Sequence, residues 1–184
     1  MKKVIRRGIF ESNSSSSHSL IITKNTEIED FSNFRLREDG TLEIWWDRDL
    51  EFDRSPEAPL IDFYGRLKYL IASYSNDEEK INEIAETVKE LIPGCTGIKF
   101  PKQYRWRDDK EYIYYGYVDH QSSGILHRYL SKYNVSFKEF LTNKKYIIIL
   151  DGDEYCMWDA MKESGLINKD YIKQEVGIDG EENY

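Results

Sequence analysis

The chain has 184 residues, enough for one well-buried core, and a formal net charge of −8 at pH 7. That balance speaks against sequence-independent binding to a phosphate backbone, which needs a basic surface, and suits attraction to a basic protein groove. Fourteen tyrosines, eight phenylalanines and four tryptophans argue for a folded chain despite a mean hydropathy of −0.69, while the isolated Cys95 and Cys156 give neither a disulfide framework nor a C-x-x-C metal motif.

In chain order, Val4–Phe10 and Leu20–Lys24 read as two strands expected to pair, joined by the hydroxyl-rich stretch Glu11–Ser19. Asp39-Gly40 is a turn signal, and Leu42–Trp46 alternates as a third strand. Residues 47–59, charged and holding Pro56 and Pro59, read as a surface loop. Leu60, Phe63, Tyr64, Leu67, Leu70, Ile71 and Tyr74 recur at helical spacing. Asn76 is the expected N-cap of a second helix, with Glu79 completing a capping box, and Pro93-Gly94 stops it. The two stripes predict a helical hairpin lying on a sheet.

Ile98–Phe100 is a short strand candidate, and Tyr112–Val118 is the strongest aromatic one. Ser122 or Ser123 is placed to cap a helix through Tyr133, and Ser136 with Glu139 opens another through Leu141. Tyr146–Leu150 reads as a buried strand. Beyond it, Trp158, Ala160 and Met161 suggest a helix ending at Gly165, residues 168–175 a short helix, and Gly177–Tyr184 a flexible acidic tail. The expected architecture is α+β over a single domain, 1–184: a mainly antiparallel or mixed sheet with a helical hairpin and additional short helices packed on it.

Three polar clusters, Ser12–Ser19, Asp119–Ser123 and Asp151–Glu154, each sit at an end of an expected strand, where side chains from different strands can converge. The first can offer N–H groups, hydroxyls and an imidazole to an anion or a partner, or be a plain hairpin loop, since serine and asparagine favour turns. Ser15, His18, Asp119 and His120 are the catalytic candidates, but no serine sits in a G-x-S-x-G elbow. With three histidines and none at i, i+3 or i, i+4 from another, no metal site is expected. The first and third clusters are explained most cheaply as turns and caps. Lys102, Arg105 and Arg107 alternate with Tyr104 and Trp106, a mix able to stack bases, countered by Asp108-Asp109. Trp45 and Trp46 are consecutive, so a strand would turn one outward as a partner anchor.

Arg6–Leu20, with its F-E-S-N-S-S-S-S-H-S core, resembles a leader shared by small proteins of bacteriophages and mobile elements in Gram-positive bacteria, in which threonine commonly replaces Ser12. Tyr117–Ser122 and Phe140–Ile149 are similar to that group as well. Asp151-Gly152-Asp153 departs from its Asp-Asn-Asp-like turn, which weighs against a shared metal role. Small acidic phage proteins include anti-CRISPR inhibitors, so the resemblance implies an anti-defence protein that binds and inhibits a host nuclease, a Cas9-like effector foremost. Trp45, Trp46, Tyr104 and Trp106 are then the expected partner-binding residues. No cofactor and no strong direct nucleic-acid binding are expected, and the oligomeric state is left open. The alternative is a nucleotide- or phosphate-binding enzyme using the Ser/His/Asp residues. Met1–Arg7 turns polar too early for a signal peptide and Ile147–Leu150 is too short to span a membrane, so the expected location is the cytoplasm, that of the host if phage-encoded.

Overall fold

A computed structural model describes residues 17–45, 50–52, 58–105, 109–119, 124–151 and 172–174. Its centre is β9 (Tyr146–Asp151), whose apolar run leaves no solvent face: Tyr146, Ile147, Ile148, Ile149 and Leu150 are all buried. β1 (Ser17–Ile22) pairs antiparallel with β9, setting His18 opposite Leu150 and Leu20 opposite Ile148. β4 (Ala58–Leu60) takes the other side of β9, and β10 (Ile172–Gln174) the outer side of β1, giving the antiparallel order β10-β1-β9-β4. The expected partner of β1, residues 4–10, lies outside the described residues. Residues 172–174, expected in a short helix, form a strand instead, because the edge of β1 offers backbone partners to all three.

The helical hairpin is α1 (Phe63–Ser73) and α2 (Glu78–Leu91). Leu60, expected at the head of the first stripe, belongs to β4, and α1 starts after Asp62, whose carboxylate accepts from Gly65 N–H at 2.7 Å. The cap of α2 falls one residue later than expected: Asp77, not Asn76, accepts from Lys80 N–H at 3.0 Å. α3 (Ile125–Tyr133) and α4 (Phe137–Thr142) follow, the latter capped by Ser136 Oγ as its sequence predicts. One face of the sheet, with Leu20, Ile148 and Leu150, packs against Leu67, Leu70, Ile71, Ile84 and Val88 of the hairpin and Leu126 and Leu130 of α3 in a common core.

The stretch 47–59 is not the plain loop expected. It contains the first two residues of β4 and all of β3 (Glu51–Phe52), which pairs parallel with β8 (Tyr117–Val118). The aromatic run 112–118 does not make one strand either. Gly116, at φ +81°, breaks it where the chain crosses β3 so closely that a Cβ there would lie 2.2 Å from Leu50 O. β2 (Thr41–Glu43) pairs parallel with β5 (Gly97–Lys99), and β6 (Lys102–Arg105) with β7 (Lys110–Ile113) in an antiparallel ribbon.

Candidate functional site

His18 enters the core side of the sheet because β1 alternates: His18 and Leu20 face the helices, Ser19 and Ile21 face away. Its Nδ1 lies 3.0 Å from the hydroxyl of Tyr69, and the two rings meet edge to face at 5.5 Å. Burial pushes the Tyr69 phenol far above its ordinary range, so it stays protonated and able to donate to Nδ1. Tyr69 also packs edge to face on Phe52 at 5.1 Å, and the carbonyl of Phe52 accepts from the N–H of buried Asp119 at 2.8 Å. Two separate polar motifs thus reach one aromatic residue of α1, His18 by direct contact and Asp119 through Phe52. Ser12–Ser16, Ser15 among them, and His120 lie outside the described residues, as do Gly152, Asp153 and Glu154.

The space beside His18 is small. A cavity of about 10 Å³ lies among His18, Ser19, Leu20, Tyr69, Leu126 and Ile148, at the limit for a single water. Among the described residues no group of three or more His, Cys, Asp or Glu is placed to hold a metal ion, and no helix is long and apolar enough to cross a membrane.

Reasoning from sequence missed Tyr69 and Arg66. Arg66 lies three residues after Phe63 and four before Leu70, inside the apolar stripe, which is the one signal that could have exposed it. Its guanidinium is fully buried and donates to Ile61 O (2.8 Å), Leu141 O (2.9 Å) and Glu29 Oε1 (2.8 Å). It ties the segment before β2 to α4 and has no opening to solvent, so its role is architectural.

The expected partner anchors fare differently. Trp45 is 68% exposed and Tyr104 74%; Trp46 and Trp106 lie outside the described residues. Eight large apolar side chains stand exposed among the described residues, and five of them (Trp45, Tyr104, Tyr112, Ile113 and Tyr117) lie on the β6–β7 ribbon or at its base. Ile44 N–H still donates to Lys99 O, so Trp45 leaves the β2–β5 ladder close to Pro101, from which the ribbon springs. The base is fixed by Phe100 and Tyr115, edge to face at 4.9 Å, and by Tyr114, whose hydroxyl donates to Glu51 Oε1 at 3.0 Å. Each side chain of β7 is exposed. Elsewhere α2 buries Ile81, Ile84 and Val88 and turns Glu79, Glu83, Glu86 and Glu90 outward at i, i+4, i+7 and i+11. Lys80 pairs with Glu83, Lys89 with Glu86 and Lys138 with Glu90, so three of these four carboxylates already hold a lysine.

No protein-family model, curated protein or solved structure matches the chain.

Proposed function

We propose that the protein acts by binding a macromolecular partner, and that the partner is a host defence nuclease of the Cas9 type whose basic nucleic-acid groove it occupies. The observation that carries this reading is the gathering of exposed aromatic residues on one ribbon and its base. Aromatic anchors dominate interface energetics, and Tyr104 and Tyr112, on opposite faces of the ribbon, are both open to a partner. The net charge of −8 supplies attraction to a basic groove.

The test is DNA cleavage by a purified Cas9-like nuclease at increasing ratios of this protein. A binder inhibits at about one copy per nuclease, and association slows as salt rises, since charges beyond roughly 8 Å are screened at physiological ionic strength. Trp45→Ala and Tyr104→Ala should each weaken inhibition by about tenfold or more, chiefly through faster dissociation. His18→Ala should leave inhibition in place wherever the variant stays folded. Inactivation of a large excess of nuclease, with a covalent change in it, would instead establish an enzyme working through the Ser/His/Asp residues.

A further inference from the structure

We draw no further inference here: the strongest candidate, the exposed apolar surface of the β6–β7 ribbon with Tyr104, Tyr112 and Ile113, belongs to the binding surface already described, and nothing in the structure shows what covers it.

Discussion

Replacing Arg66 by methionine should be among the most damaging single changes in this protein. The methionine keeps most of the aliphatic stem but removes the group that bonds Ile61 O, Leu141 O and Glu29 Oε1. Three backbone carbonyls, Tyr146 O at 3.4 Å being the third, and a carboxylate then lose this donor together. Breaking a buried ion pair by removing one partner costs about 3–5 kcal/mol; the Glu29 side chain keeps 14% exposure, so water can partly repay it and about 3 kcal/mol is expected. For a chain of this length that corresponds to a fall in Tm of roughly 6–12 °C. Glu29→Gln retains an oxygen acceptor without the charge and should cost about 1–2 kcal/mol. Urea unfolding at pH 7 with circular dichroism detection measures all three variants, the third being the double substitution. The double variant should cost less than the two singles combined by about 1 kcal/mol or more, because both remove the same contact. An Arg66→Met cost below about 1 kcal/mol, or strict additivity, would show that the guanidinium is not the tie between the Glu29 segment and α4.

Gly116→Ala should destabilise by about 2 kcal/mol or more, since it combines a positive φ with a Cβ driven into Leu50 O; unchanged unfolding would refute that crossing geometry. Tyr69→Phe deletes the hydroxyl beside His18 Nδ1 and should cost about 1–2 kcal/mol, read by the same denaturation assay and absent if the contact contributes nothing. Glu139 accepts from Lys145 Nζ (2.8 Å) and Tyr146 Oη (2.9 Å), and these two bonds, Lys145 first, hold its carboxyl below the usual glutamate value near 4.5. Its contribution is therefore complete above about pH 4.5 and is lost as pH falls through the lowered folded value. Glu139→Gln should flatten that acid limb of a stability–pH profile, and an unaltered limb would remove Glu139 from it.

Much of the scaffold is local and so was legible. The apolar spacing of Phe63–Tyr74 and Ile81–Leu91 defines two helices wherever they pack, and Ser136 caps α4 because its partner is only three residues away. The run Tyr146–Leu150 has no polar face and belongs in the middle of a sheet by composition alone. The strand expected over Leu42–Trp46 is β2 at Thr41–Glu43, and Trp45 stands exposed past its end. What depended on the fold was long-range. Residues 172–174 became a strand by pairing with β1, about 150 positions earlier in the chain, an option no local propensity encodes. The meeting of His18 with Tyr69, and of Asp119 with Phe52 beside it, needed β1, β3, β8 and α1 to assemble first. Arg66 looked like a lapse in an apolar stripe until the carbonyls of Ile61 and Leu141 and the carboxylate of Glu29 closed around it. A charged group can be buried only where its partners arrive from elsewhere in the chain, and their arrival is decided by tertiary structure.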